Sequence, residues 1–478
     1  MNDADRPRVS LSDTKNLSPH TKYATLSHCW GTSQPVKLLS KNYQKFRENV
    51  DFSSLPRTFQ DAITFTLALN IEYLWIDSLC IIQDLPDDWL REASLMCSVY
   101  SNSWINFAAT SSRDGSGGLF HKSALVKSCA IDATWTGLPT GTYLCVDETA
   151  WERRIENAPL NQRGWVLQER LLSPRTIHCA YDQLWWSCRD APKCCETFPT
   201  GTLTPPWETS PSLDGLRELS SEDFVPWNEA WLSVVHAYTK TKLTYGSDKL
   251  IAFAGIAQEA QRSRGLPSAH YLAGLWKDDL PVDLLWRLAS PGTRDTTTYR
   301  APSWSWTSVD GEVYFHSPEE RAQARDNMVT RIIESCVFAN QGWYGPVSDG
   351  RLKINGPIFR VTLSGVDPLG SDESYFQTLC LEEENFVGGD EFVEILDHED
   401  LYANWPVAGR QLHYACLTTT PIPRSDEIRS RSEGLILECV SKKNDGYRRI
   451  GWLRVWHKNE WDQWAAACQA HSRTYMLI

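Results

Sequence analysis

The sequence predicts an α/β protein: a parallel sheet covered by helices at the N-terminal end, a mostly helical middle segment and a β-rich C-terminal region. Three observations predict it. Short apolar runs, Tyr23 to Ser27, Tyr73 to Ile76 and Trp104 to Thr110, alternate with amphipathic stretches at helical spacing. The resulting order of strand, helix, strand, helix, strand calls for crossover connections, and so for parallel pairing. From Ala301 onward the pattern changes to short alternating segments. The expected divisions are residues 1–200, 201–300 and 301–478.

Residues 1 to 20 read as a loose lead-in to the first strand. That strand ends in His28-Cys29-Trp30-Gly31, a tight glycine turn. Ser53-Ser54-Leu55-Pro56 predicts a helix start with a hydroxyl cap and proline in the first turn. Phe59, Ala62, Ile63, Thr66 and Leu67 give this helix one apolar face, and Asn70 ends it. Tyr73 to Ile76 is short and continuously apolar, as in a strand covered on both sides, and runs into Asp77-Ser78-Leu79-Cys80. Pro86-Asp87-Asp88 opens a second helix with acids where the helix dipole favours them. Trp89, Ala93, Met96 and Tyr100 make its buried stripe. Glu92 falls in that stripe, where a carboxylate needs a partner.

After the third strand, Arg113 to Gly118 is a glycine-rich turn without the ending of a phosphate loop. Thr142 to Val146, Thr176 to Cys179 and Gln183 to Cys188 are strand-like, with the patterned segment Arg163 to Arg170 among them. Thr197 to Asp214 has linker composition. Trp227, Trp231 and Tyr238 mark a helix, and further helices are expected at Asp248 to Arg262 and near Pro281 to Ala289. The expected C-terminal strands are Leu352 to Ile354, Ile358 to Leu363, Gly434 to Val440 and Arg449 to Trp456.

The formal charge of -13, with no Lys/Arg run, argues against nucleic acid and against an anionic membrane as partners. No stretch approaches the ~20 apolar residues of a spanning helix, and the N-terminus has no signal-peptide core. A cytoplasmic protein with reduced cysteines is the expectation. Cys188, Cys194 and Cys195 cluster without paired zinc-ligand spacing, so no metal is expected. No dinucleotide glycine fingerprint follows the first strand, which leaves the cofactor unknown. A small-molecule ligand is expected, and self-association or a protein partner stays open. The 22 tryptophans supply core and pocket walls.

Parallel sheets bind ligands beyond the carboxyl ends of their strands. If the first two strands are neighbours, His28, Cys29, Asp77 and Cys80 share one crevice, with Trp30 and Ser78 beside them. Asp77 either orients His28 and serves as acid or base, or caps the next turn. Cys29 acts as a nucleophile only if an imidazolium or helix end lowers its pKa, and adjacent strand residues point to opposite faces. Cys80 is a second reactive thiol or a core thiol. Glu92 is either a substrate-facing acid or half of an ion pair with Arg57 or Arg163. Arg163, Gln168 and Glu169 form either a ligand clamp or a structural ion pair. Trp75 and Trp165 are pocket wall or core.

The stretches Tyr23 to Gly31, Leu55 to Ile63 and Tyr73 to Asp84 together resemble the fungal heterokaryon-incompatibility (HET) domain. So do Asp88-Trp89 with Glu92, Met96 and Tyr100, and Arg163-Gly164-Trp165 with Gln168-Glu169. Asp248-Lys249-Leu250, Leu284-Leu285-Trp286 and Ala301 to Trp306 resemble the region that follows that domain. The resemblance implies a TIR-like, flavodoxin-like domain from a filamentous fungus, associated with non-self recognition and programmed cell death. By analogy of fold, it implies cleavage of an NAD-like nucleotide with Glu92 at the ribose. The short lead-in and the lack of a nucleotide-binding switch module turn the expectation toward a stand-alone catalyst or effector. Two further readings stand beside it. One is a biosynthetic hydrolase, lyase or cyclase acting on a small metabolite through the His28/Cys29/Asp77/Cys80 crevice. The other is an interaction module without turnover.

Overall fold

The computed structural model describes residues 7–31, 36–121, 129–137, 139–145, 147, 149–199, 201, 216, 224–290, 292–294, 298–339, 342–364, 378–381, 392–396, 412–421, 430–441, 445–457 and 461–478. The chain divides into two units. One takes residues 1–214, 241–243 and 252–256, and the other takes 215–240, 244–251 and 257–478.

The first unit contains β1 (Tyr23–Ser27), α1 (Tyr43–Glu48), α2 (Arg57–Ala68), β2 (Tyr73–Trp75), α3 (Asp77–Cys80), α4 (Pro86–Ser101) and β3 (Ile105–Ala108). It continues with β4 (Cys129–Ala133), β5 (Gly141–Cys145), α5 (Gly164–Leu172), β6 (Arg175–Cys179), β7 (Leu184–Cys188) and β8 (Ala191–Cys195). Six strands form one sheet in the order β2-β1-β3-β6-β7-β8. The first four are parallel, as the crossover argument requires, and β7 and β8 extend the sheet antiparallel. β4 and β5 pair apart from it as a hairpin.

Strand alternation sorts β1 into two faces. Ala24 and Leu26 enter the core with Phe59 and Ala62 of α2 and Phe107 of β3. Thr25 and Ser27 face the other way, where the Thr25 and Ser27 hydroxyls lie 3.0 and 3.2 Å from Asn106 Oδ1 and donate to it.

α2 has no hydroxyl cap, because Pro56 is its N-cap residue and makes no side-chain bond. The glycine-rich loop does that work instead. Thr58 N–H donates to the Gly115 carbonyl at 3.0 Å, and Gly118 N–H donates to Thr58 Oγ1 at 3.1 Å. β2 is not covered on both sides; it is the sheet edge and half-buried throughout. Asn70 does close α2, in the left-handed conformation common just past a helix end (φ 54°). Residues 200 and 202–214 of the Thr197 to Asp214 linker lie outside the described residues.

In the second unit a helix at Phe224–Thr239 stacks Trp227 on Trp231, 6.1 Å between ring centres, with Trp276 edge-on 5.3 Å from Trp231. The helix expected near Pro281 to Ala289 is a short 3-10 turn, Val282–Leu285, followed by the strand Arg287–Leu288. The cause is tertiary. The fully buried Arg449 guanidinium takes the Leu284 and Trp286 carbonyls at 2.6 Å each, and those carbonyls would otherwise accept helical N–H groups. The region expected from Asp248 to Arg262 breaks into two 3-10 turns before a helix at Ala254–Arg264.

The C-terminal region is β-rich. An eight-stranded, mostly antiparallel sheet is built around Val347–Ser364, Leu412–Pro421, Ser430–Ser441 and Gly446–His457. The two segments expected at 352–354 and 358–363 are one continuous strand. Helices at Pro318–Asp326 and Trp461–Ala470 went unforeseen, although Ser317 and Glu320 form the capping box that announces the first. Trp227, Trp231, Trp276, Trp286, Trp304, Trp306, Trp452 and Trp464 are all fully buried here, so these indoles are core.

Phe59 joins α2 to the sheet with no exposed surface and meets His28 edge-on, ring centres 4.9 Å apart. Phe59→Ala is expected to destabilise the first unit by about 3–5 kcal/mol. Urea unfolding followed by circular dichroism measures this as a lowered midpoint.

Candidate functional site

β1 delivers His28 to the carboxyl edge of the sheet, on the α2 face. Asp77 reaches the same edge as the first residue of α3, directly after β2. Its Oδ1 lies 3.7 Å from His28 Nδ1 and accepts Ser78 N–H at 2.6 Å, while Oδ2 accepts Trp30 Nε1–H at 2.9 Å. Asp77 therefore closes its own turn and faces the imidazole at once. His28 is buried, and neither ring nitrogen has a hydrogen-bond partner within the protein. Burial pushes its pKa below the ordinary histidine value, outweighing the pull of Asp77, so the imidazole is neutral.

Gly31 completes the turn at φ 70°, and a Cβ there would run into the Asp114 side chain. The end of β1 and the loop after β3 approach closely for that reason.

Cys29 takes the opposite face, packed with Ala108, Leu160 and Val166. Burial pushes its thiol up despite Arg163, and burial pushes Cys80 to about 12. Both sulfurs are protonated at neutral pH, and no imidazolium is present to change that. The structure thus brings His28, Asp77 and Trp30 together and puts Cys29 across the sheet from them. Ser78 is fully buried behind Asp77.

Glu92 is half-buried on α4 and pairs with neither Arg57 nor Arg163. Its Oε1 accepts from Arg91 Nε at 3.2 Å and Nη2 at 3.1 Å, because Arg91 is its neighbour on the same helix. Arg57 lies 3.8 Å from Asp61, and the Arg163 guanidinium donates to the His28 carbonyl.

Arg163 precedes α5, whose start is pinned where Gly164 N–H meets the Lys242 carbonyl at 2.8 Å. Gln168 Oε1 accepts Gly255 N–H at 3.2 Å. Glu169 turns into the polar face of β1 and accepts the Tyr100 hydroxyl at 3.0 Å. Burial raises its pKa to about 7, against the opposing pull of Arg163, Ser27 and Tyr100. Sequence reasoning missed Tyr100, Asn106, Thr25 and Ser27 as members of this network. The available signal was the polar alternation of Thr25 and Ser27 in a strand buried on both faces.

Trp30, Trp75 and Trp165 are half-buried rather than core. Lys37 Nζ stands 4.8 Å over the Trp30 ring, Trp75 meets Tyr100 edge-on at 5.7 Å, and Trp165 meets Trp89 at 6.2 Å. Cys188, Cys194 and Cys195 lie on the β7–β8 hairpin as free thiols. Among the described residues, no three His, Cys, Asp or Glu side chains gather to hold a metal ion, and no helix is long and apolar enough to cross a membrane.

These features define an α/β unit with a mostly parallel sheet and an acid-lined, indole-walled cluster at its carboxyl edge. Residues 23–169 of that unit match the family model described as heterokaryon incompatibility protein (HET), so the chain carries a HET segment. No curated protein and no solved structure matches the chain.

The raised pKa of Glu169 links protons to stability. The native state keeps its proton up to about pH 7, whereas the ordinary value is 4.5. Wild-type stability therefore falls as pH rises through that window and levels off above it. Glu169→Gln lacks this penalty and is expected to gain on the order of 3 kcal/mol relative to wild type between pH 4 and 8. Urea titrations of both proteins at several pH values check the difference.

Proposed function

We propose that this protein acts in heterokaryon incompatibility, as an effector of fungal non-self recognition and cell death, and that its carboxyl-edge cluster cleaves an NAD-like nucleotide. One observation carries the reading. The HET match begins at Tyr23, the first residue of β1, and ends at Glu169, so it spans every residue of the cluster described above.

The strand order supports a flavodoxin-like, TIR-like fold. Counted along the chain, the six sheet strands run 2-1-3-4-5-6, the flavodoxin-like order with its last two strands antiparallel. Such sheets bind nucleotides beyond the carboxyl ends of their strands, the edge to which β1 and its neighbour β2 bring His28 and Asp77. Asp77, about a quarter exposed beside Trp30 and the neutral His28, takes the role that analogy assigned to Glu92. Its carboxylate contacts the ribose and stabilises the positive charge that develops as the C–N glycosidic bond breaks and nicotinamide leaves. Water then adds to the ribose carbon, with His28 accepting its proton. Glu92, already held by Arg91, supports its own helix.

Incubation of the purified chain with NAD, followed by mass spectrometry, tests this. Nicotinamide and ADP-ribose are expected, with Asp77→Ala slowed at least about 100-fold while circular dichroism still reports a folded protein. In a fungal host, expression is expected to arrest growth, and Asp77→Ala to restore it. Intact NAD, or an Asp77→Ala protein as active as wild type, contradicts the proposal.

A further inference from the structure

The loop that follows β3 holds a second reactive arrangement, separate from His28 and Asp77. Ser111 Oγ lies 2.8 Å from His121 Nε2. Both residues are half-buried, so a ligand can reach them. Ser111 stands just past the carboxyl end of β3, beside the point where the strand order reverses.

The loop between them is held in place by α2. Thr58 bonds Gly115 and Gly118 as described above, Leu119 N–H donates to Asp61 Oδ2 at 2.8 Å, and Arg57 Nη2 donates to the Phe120 carbonyl at 3.5 Å. The Phe120 ring leans on Phe65, ring centres 5.6 Å apart. On the other side, Ser111 N–H and Oγ reach the Cys179 carbonyl at 3.3 and 3.2 Å. Ser111 and the loop as far as Phe120, the residue before His121, are thus tied to rigid elements, as a nucleophile and its base require. The charges acting on the imidazole are Arg57 and Asp61. Burial first, and then Arg57, hold its pKa below the ordinary 6.5, against Asp61, so the ring is a neutral base at pH 7.

We infer that Ser111 and His121 form a nucleophile–base dyad that hydrolyses a small carboxylic ester. When Nδ1 carries the ring proton, Nε2 is the nearest acceptor for the Ser111 hydroxyl. Ser111 Oγ attacks the ester carbonyl carbon and its proton passes to Nε2. The carbonyl electron pair moves to oxygen and then returns, expelling the alkoxide, which takes the proton from Nε2 and leaves as the alcohol. Water, deprotonated by the same nitrogen, releases the acid and restores the serine. The half-exposed Phe120, next to His121, offers apolar surface to the acyl group. The dyad does not depend on nucleotide cleavage at Asp77.

The test treats the full chain with a fluorophosphonate probe, which phosphonylates an activated serine with loss of fluoride. Peptide mapping is expected to place the label on Ser111, and Ser111→Ala to abolish it. His121→Gln is expected to slow labelling by about 10²–10⁴-fold. On the wild-type protein alone, the labelling rate should rise with pH, with a midpoint below 6.5, and then plateau. 4-Nitrophenyl acetate should release nitrophenolate with the same profile. No label, a label elsewhere, a rate untouched by His121→Gln, or a rate that climbs without plateau to pH 10 overturns the proposal.

Discussion

β1 pairs with β2 on one side and β3 on the other, through the registers Tyr23↔Tyr73 and Ala24↔Ile105. This double pairing governs the first unit. It brings the residues after β1, β2 and β3 to one edge, and it makes side-chain alternation in a five-residue strand decide what each face contains. His28 and Asp77 meet because β1 and β2 are neighbours. Cys29 is kept from them by alternation, since it follows His28 by one residue and therefore emerges on the other face.

The face holding Thr25, Ser27, Asn106, Tyr100 and Glu169 is the energetically demanding part of this arrangement. Apolar side chains there would satisfy a buried sheet more simply, whereas buried polar groups must be matched atom by atom. The hydroxyls of Thr25 and Ser27 are matched by Asn106, and the Glu169 carboxyl by Tyr100. Glu169 remains a group whose charge is undecided at neutral pH. Such groups concentrate at sites that move protons or bind ligands. The unit also leaves the His28 ring nitrogens unmatched next to Asp77. Both features lie within the HET segment.

The second unit solves a different problem. Its indoles are core, and cations are brought inside to meet them. Arg449 stacks 3.4 Å over Trp286 while its donors take the Leu284 and Trp286 carbonyls. A guanidinium tolerates such burial when its donors are filled and its flat face lies on an aromatic ring. The same bonds remove the helix that the local sequence favours there.

Local pattern was enough to place β1, α4, β3 and the Trp227 helix, because each has an uninterrupted period and, for α4, a proline-acid start. The HET motifs were legible for the same reason: they are contiguous and in order. The sequence also placed His28, Asp77, Arg163 and Glu169 among the candidates. It could not say that Glu92 would pair with Arg91, that the start of α2 would be capped by a loop some sixty residues away in the chain, or that Tyr100 and Glu169 would meet. Those outcomes depend on which strand lies beside which and on how far each carboxyl is removed from water. Periodicity along the chain determined the elements and their faces; burial and long-range pairing, which exist only once the elements pack, decided the partners and the protonation of the site.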